Sequence, residues 1–444
     1  KHIDKQEYIL NGIAISHRIE ILPNNKAKTY FKNAFGCARL AWNWGLARWR
    51  RNYKLGIKES VYDMKKAFNA EKKEKFPFTG NVTKYATQQP FIHLGRGITK
   101  YFKDLKEGIL SYPQYKLKKD KYQSFYIGGD QVKLSDINTN SGKIEQGNSQ
   151  YIVIPKLGCV KMTEKLRFNG KIKSVTISLE GGRYYASFNM TISKEEYDRT
   201  HKKEKNKNLG VGIDVGISSF ASMSNGIKAK APKPLEKSLR QLQNLNRQSA
   251  KKQHPRTKEE KKRGMKCSNN YKKHKQKIQK LYVKIANQRK DFLHKLSTCI
   301  VSQFDYICAE NLDVQEMLKN KRLARKVSDM SFYEFTRQLD YKTRYAEKQL
   351  IRVDQFFPSS KMCSNCGGIK KDLTLQQRTY ICDTCGLKID RDYNASLNLY
   401  NELKQHLGEV LPEVTPADLT AMLSRFEKNG LVTSKVETGI QQKT

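Results

Sequence analysis

Four of the nine cysteines fall in two CxxC pairs, Cys363-Ser-Asn-Cys366 and Cys382-Asp-Thr-Cys385, with fifteen residues between them. A CxxC turn lets two thiolates reach one ion, and two such knuckles complete a tetrahedral sulfur shell of the kind that holds Zn²⁺. Gly367 and Gly386 directly follow the knuckles and relieve their turns. Four sulfurs leave no open coordination position, so this ion is expected to hold shape and do no hydrolysis. Cys37, Cys159, Cys267, Cys299 and Cys308 are scattered, which argues against a disulfide framework and for a reducing compartment.

A second group is acidic. Asp214 ends the apolar run LGVGID, Glu310 ends FDYICAE, and Asp392 lies in DRDYNAS at the start of an amphipathic stretch. Singly, each reads as a strand-end or capping carboxylate. Three of them, at the boundaries of apolar elements in a cationic chain, are the hard oxygen ligands that Mg²⁺ takes and that two-metal phosphodiester hydrolysis needs. Asp390, two residues before Asp392, competes for the third place.

The elements that must position these groups are legible from periodicity. Phe31, Phe35, Ala38, Trp42 and Trp49 mark a helix over 27–50, and helical pattern returns over 84–107. The stripe tryptophans read as packing residues, with base stacking as the lesser alternative. Residues 122–193 hold short β-rich pieces between turn residues, as in a small barrel or curved sheet, which the strand at 13–22 would join. After a charged linker at 201–208 come α/β elements, interrupted by the four-cysteine segment.

The chain of 444 residues carries 85 Lys and Arg against 43 Asp and Glu, a net charge of +42. That balance implies a polyanionic partner, and a hydrophobic fraction of 38% is enough for real cores and excludes a disordered basic tail. Residues 228–290 alone hold 22 Lys and Arg against 3 acids. Leu235, Leu239 and Leu242, then Ile278, Leu281, Ile285, Phe292, Leu296 and Ile300, make this stretch a basic helical hairpin suited to phosphate contact. With no apolar run of 18 residues and no apolar leader core, the expectation is a cytoplasmic protein without membrane contact.

The run GVGIDVGISSF, then AENL, FFPSSKMCSNCG, CDTCG and DRDYNASLNL, resembles in order and content the TnpB proteins, transposon-encoded RNA-guided DNA endonucleases related to miniature type V CRISPR effectors. The likeness reaches the segments beginning HRIEILPNNKAKTYF and FPFTGNVTKYATQQ, and covers most of residues 10–405. It implies a multidomain α+β chain. An RNase H-like, RuvC-type α/β nuclease domain would occupy 206–360, with the basic hairpin at 228–300, an inserted four-cysteine zinc ribbon at 361–386 and a last segment at 387–405. A β-barrel wedge domain (1–22 and 116–205) would carry a helical recognition lobe at 23–115. From 401 on, 5 basic residues stand against 6 acidic ones and Pro412 and Pro416 break the pattern, so 406–444 is expected to be a flexible tail.

The resemblance further implies Asp214, Glu310 and Asp392 as catalytic Mg²⁺ ligands, a structural Zn²⁺, and a guide RNA and double-stranded target DNA as partners, with one chain per RNA. Lys84 and Gln88 match positions that read the short motif beside the target, and Tyr62 is a weaker candidate for the same task. The competing expectations are a catalytically silent guided DNA-binding protein, a zinc-ribbon accessory factor for transposition, or a DNA-joining transposase. The first two leave the three carboxylates without a reason to sit together, and the third, which shares the RNase H-like core, is disfavoured by the resemblance and the RNA-binding lobes it implies.

Overall fold

The computed structural model describes residues 12–118, 120, 122–135, 150–201, 208–257, 259–260, 263–374, 377–408 and 410–436. The chain is multidomain and α+β, and it divides into two compact units, residues 1–202 and 203–444.

In the first unit, β1 (Ile13–Leu22) leads directly into a 30-residue helix, α1 (Asn25–Lys54), whose start is capped by Asn24 accepting from the Ala27 amide at 2.8 Å. Helices α2 (Val61–Lys75) and α3 (Tyr85–Lys106) complete a three-helix lobe around Leu46, Trp49, Met64, Phe68, Phe91 and Leu94. Gly45 permits the close crossing of α1 and α3, because a Cβ there would lie 2.9 Å from both Phe91 and Leu94. Trp49 is buried in this core, and Trp44 packs edge-on to Phe68 and Phe91, so packing is what these rings do.

The remaining strands are β2 (Gln123–Gly128), β3 (Lys133–Ser135), β4 (Tyr151–Ile154), β5 (Gly158–Met162), β6 (Lys171–Glu180) and β7 (Arg183–Ile192). They form with β1 an antiparallel sheet in the order β2-β6-β7-β1-β5-β4-β3. The expected barrel is not closed. Edge strands β2 and β3 are joined by only four residues, so the sheet curls strongly, yet they exchange no ladder hydrogen bonds among the described residues. A 3₁₀ turn at Gly129–Gln131 occupies the seam, and the three residues of β3 form their ladder with β4. Phe31 and Phe35 of α1 fill the concave side with Phe125, Ile127, Val175 and Phe188.

The second unit is built on a six-stranded sheet. Parallel strands β8 (Gly210–Val215), β11 (Tyr306–Glu310) and β12 (Gln349–Val353) sit side by side, and β9 (Ala221–Met223) and β10 (Ile227–Ala229) continue the sheet antiparallel from β8. The basic stretch forms the helix pair α5 (Pro234–Ala250) and α6 (Asn269–Gln303), joined through Leu242, Ile278, Leu281 and Ile285. Two short helices, α7 (Val314–Lys319) and α8 (Ala324–Met330), precede α9 (Phe332–Tyr345). Residues from α6 and α9, among them Leu296, Ile300, Phe335 and Leu339, share one core with Val211 and Ile213 of β8.

On the opposite face lies α10 (Arg391–Leu407), whose Leu399 and Leu403 pack with Cys308 and Val353. Between β12 and α10 the cysteine segment forms its own small sheet, β13 (Thr379–Ile381) against β14 (Lys388–Asp390), so the ribbon runs to Asp390 and not only to the expected 386.

The expected flexible tail is overturned for the described residues up to 436. Helix α11 (Pro416–Lys428) has a complete capping box, Thr415 with Asp418, and Pro416 in its first turn. Its Met422 and Phe426 enter the main core, and β15 (Thr433–Lys435) pairs with β10 at the sheet edge. A balanced charge does not imply disorder when apolar residues recur at helical spacing, as Leu419, Met422, Leu423 and Phe426 do here.

Gly210 and Gly212 decide how close α10 comes to the sheet. A Cβ at Gly212 would lie 2.5 Å from the Tyr400 amide nitrogen and closer still to the Ser396 carbonyl, both backbone atoms that cannot swing aside. Gly212→Ala should therefore lower folding stability by about 3 kcal/mol, the upper range for overpacking, measured by denaturant unfolding. An unchanged midpoint would mean that α10 does not seat on β8 this closely.

Candidate catalytic carboxylates and metal centre

Side chains alternate along a strand, so the face of β8 that carries Gly210 and Gly212 against α10 also carries Asp214. In β11, Cys308 packs on that face, and Glu310 follows it two residues on. The parallel register pairs Ala309 with Ile213, so Glu310 stands across from Asp214 on the neighbouring strand, about 4.8 Å away in backbone spacing. Both lie at the carboxyl ends of their strands. Asp392 reaches the same place from the second residue of α10, where the helix's positive end favours an acid.

The electrostatics are those of a crowded anionic site. Burial, then Glu310 and Asp392, push the Asp214 carboxyl well above the ordinary carboxylate range, and Arg391 and Lys228 pull it back only in part. Burial also raises the Glu310 carboxyl, against a hydrogen bond donated to its Oε1 by Ser359. Asp392 has Arg391 at 3.3 Å and Arg378 at 3.9 Å.

Asp390 is engaged elsewhere. It caps α10 by accepting from the Tyr393 amide at 2.9 Å and pairs with Lys228 at 2.6 Å. The two neighbouring aspartates thus have separate tasks, one ending β14 and starting the helix, the other facing Asp214. Sequence reasoning missed Ser359, Lys228 and Arg391. No spacing rule links them to the acids, because the tertiary fold alone brings them there.

Cys363, Cys366, Cys382 and Cys385 converge, all four sulfurs lying within 4.8 Å of one another. Separations of 3.6 Å (Cys363 to Cys385) and 3.5 Å (Cys366 to Cys382) are far too long for disulfides. They are near the spacing of about 3.8 Å that a tetrahedral thiolate shell with metal–sulfur bonds of about 2.3 Å demands. Gly367 and Gly386 adopt φ of 73° and 72°, and their amides bond back to the Cys363 and Cys382 carbonyls, so each knuckle closes on a left-handed glycine. The buried Tyr380 ring packs between Cys363 and Cys382. Among the described residues this is the one set of three or more His, Cys, Asp or Glu ligand atoms gathered this tightly. The carboxylates are more widely spread, as ligands bridging two ions about 3.5–4 Å apart would be.

The three polar candidates of the first unit do not form one cluster. Lys84 sits at the start of α3 with Gln88 one turn on, and its ammonium pairs with Asp130 at 3.1 Å beside the Tyr85 ring. Tyr62 is an exposed residue of α2, whose neighbour Val61 packs against Gly95, about 10 Å along α3 from Gln88. In the basic helix pair, Lys272, Lys273, Lys275, Lys277, Lys280 and Lys284 are all exposed, and none has an acidic ion-pair partner among the described residues.

A carboxyl whose pKa rises on folding keeps its proton to higher pH in the folded chain than in the unfolded one. Stability therefore falls as pH climbs from about 4, the unfolded value, through the raised folded value of Asp214. In chelator, Asp214→Asn should melt at a higher temperature than the parent at pH 8, with the gap closing towards pH 4. Equal melting at pH 8 would show that neither burial nor the neighbouring acids disfavour the charged form of Asp214.

Comparison with known proteins finds relatives for this chain. Residues 189–321 match a family described as "Probable transposase", residues 332–399 one described as "Cas12f1-like, TNB domain", and residues 13–58, here β1 and α1, a "Helix-turn-helix domain". A protein of Streptomyces pristinaespiralis named "Putative RNA-guided DNA endonuclease" is 29% identical over 88% of this chain and 90% of its own length. One of Escherichia coli with the same description is 26% identical over 86% and 90%. A TnpB-like protein of Acanthamoeba polyphaga mimivirus is 34% identical over 28% of this chain and 24% of its own. The solved structure of the mini-RNA-guided endonuclease CRISPR-Cas phi3 aligns over 91% of this chain and 94% of its own at 11% identity, with a TM-score of 0.42. With two relatives matched over 90% of their own length and three family matches falling in order along one chain, the protein is similar over most of its length to TnpB-like RNA-guided DNA endonucleases.

Proposed function

We propose that the protein is an RNA-guided DNA endonuclease that hydrolyses target DNA at a single RuvC-like site. The observation that carries this reading is the meeting of Asp214, Glu310 and Asp392 from two adjacent parallel strands and one helix N-terminus. Like charges gathered beside a phosphate-binding surface are unfavourable unless a cation intervenes. The full-length relatives carry the same activity in their names.

Magnesium is the cation whose hard-ligand preference this oxygen set meets; bound, it supplies the positive charge that offsets the acids and polarises the scissile phosphate. Asp214 and Glu310 offer oxygens from fixed strand ends, so their separation is set by sheet geometry and not by loop motion. Asp392 offers a third from a helix that the sheet holds rigidly. Hydrolysis in line with the leaving oxygen would release a 3′-hydroxyl. Lys228 and Arg391 moderate the negative potential without neutralising it.

The exposed lysines of α5 and α6 suit the backbone of a guide–target duplex, with base pairing carrying the sequence. Lys84 and Gln88, one turn apart, suit a short motif in the flanking duplex, with Tyr62 at its margin. Reading a base edge with Lys84 would exchange its Asp130 partner for DNA. The four cysteines would hold Zn²⁺ as a structural ion, and one chain would serve each guide RNA.

Asp214→Ala in the protein copurified with its RNA should reduce Mg²⁺-dependent cutting to background while guide-dependent DNA binding persists in a mobility-shift assay. Undiminished cutting by that variant would remove the site assignment. The purified chain should contain about one zinc by mass spectrometry. Cys382→Ser should lose that zinc and melt earlier; a parent protein folded with none would refute the structural ion.

A further inference from the structure

Ser359 lies in the loop that connects β12 to the first cysteine knuckle, and it is buried at 4% exposure. Its hydroxyl donates to Glu310 Oε1, while its carbonyl accepts from Asn398 Nδ2 at 2.7 Å. Asn398 Nδ2 also reaches the Met362 carbonyl at 2.7 Å, and Asn394 Nδ2 reaches the same carbonyl at 2.7 Å. Asn394 Oδ1 accepts from the Ser364 amide at 3.0 Å, and Asn401 donates to the Ser364 carbonyl at 3.3 Å.

Asn394, Asn398 and Asn401 occupy one face of α10 at i, i+4 and i+7. The first two are fully buried, an unfavourable place for an amide unless its hydrogen bonds are met. Both Asn394 groups and the Asn398 Nδ2 bond to the backbone of 359–364, while Asn398 Oδ1 stays buried without a partner, so a face that could have been leucine is used to clamp the stretch running from Ser359 to the first knuckle. The same helix presents Asp392 at its N-terminus.

Glu310 has the longest side chain of the three acids and therefore the most rotamers to lose. Its strand fixes Cα but not the carboxylate plane, and the Ser359 hydroxyl is the neutral hydrogen-bond donor that meets it. The geometry points to Ser359 as the positioning residue of Glu310: the hydroxyl holds Oε1, leaves Oε2 for the cation, and through the asparagine clamp ties the carboxylate to the base of the cysteine ribbon. This inference rests on the reading of Asp214, Glu310 and Asp392 as a cation site. It adds a hydroxyl that orients a ligand without being one, the kind of partner whose loss lowers metal affinity or activity by about 10–100-fold.

The test uses the full chain with its copurified RNA, comparing the parent with Ser359→Ala, Ser359→Thr and Asp214→Ala. Mn²⁺ binding is followed by loss of the free-ion electron paramagnetic signal, and cutting is titrated with Mg²⁺. Ser359→Ala should weaken Mn²⁺ binding and raise the Mg²⁺ needed for half-maximal cutting by about ten-fold or more, with zinc content and guide-dependent DNA binding unchanged. Ser359→Thr, which keeps the hydroxyl, should restore both to within a few-fold. Parental Mn²⁺ affinity in Ser359→Ala overturns the inference, as does a loss of zinc or of melting temperature that threonine fails to reverse, which would mark a packing role. Cutting that survives in Asp214→Ala instead sinks the cation-site reading itself, whatever Ser359→Ala does.

Discussion

The seating of α10 on β8 is the constraint on which the second unit depends. Helix backbone approaches strand backbone at Gly212 more closely than any side chain would permit. That contact fixes where the helix N-terminus ends up, and so where Asp392 stands relative to Asp214. It also fixes the face from which Asn394 and Asn398 reach the ribbon. Had Gly212 been alanine, the helix would have to lift, carrying with it one carboxylate, the clamp on Ser359 and the base of the knuckles. One missing Cβ thus links core packing to the geometry of both candidate metal centres.

The two centres solve opposite electrostatic problems. Sulfur ligands converge on a point, and their turns are closed by left-handed glycines and a buried tyrosine, so the ribbon's shape is set locally over some thirty residues. The carboxylates come from residues 214, 310 and 392, nearly two hundred positions apart, and are held together by sheet register and helix packing against their own repulsion. A site assembled in this way needs a rigid frame. The parallel strands supply one: both faces are covered, by α10 on one side and by α6 and α9 on the other, and the edge beyond β10 is extended by β15.

How much of this was legible follows from where each signal resides. The cysteine knuckles are local, and their spacing specifies their geometry. Asp214 and Glu310 could be proposed because each ends a short apolar strand, and a strand end is visible in a single segment. The division of labour between Asp390 and Asp392 was not legible from spacing, because both fall at the start of one helix by sequence; the pairing of Asp390 with Lys228 across 162 residues separates them. Barrel closure failed for a similar reason. Alternation reports that strands exist, but whether the last meets the first depends on three residues of β3 and a 3₁₀ turn. The C-terminal helix was a different kind of miss. Its capping box and apolar stripe were present in the sequence, and the low charge of the region obscured them.

The exposed lysines and the three carboxylates occupy separate parts of the second unit, and the separation has a physical basis. A lysine-rich surface beside Asp214 would pair with the carboxylates and compete with a cation for their oxygens. The exposed lysines are carried instead on α5 and α6, helices that leave the sheet after β10 and return to it before β11. Near the acids Lys228 is held by Asp390, and Arg391 and Arg378 pair with Asp392, while among the described residues no cation is within ion-pair distance of Asp214 or Glu310. On the proposed function, this arrangement would let the chain hold a polyanion over one surface while keeping acids for a cation within the same fold. Placing the basic helices as an insertion between the first two acidic strands, and not on the strands themselves, satisfies both demands at once.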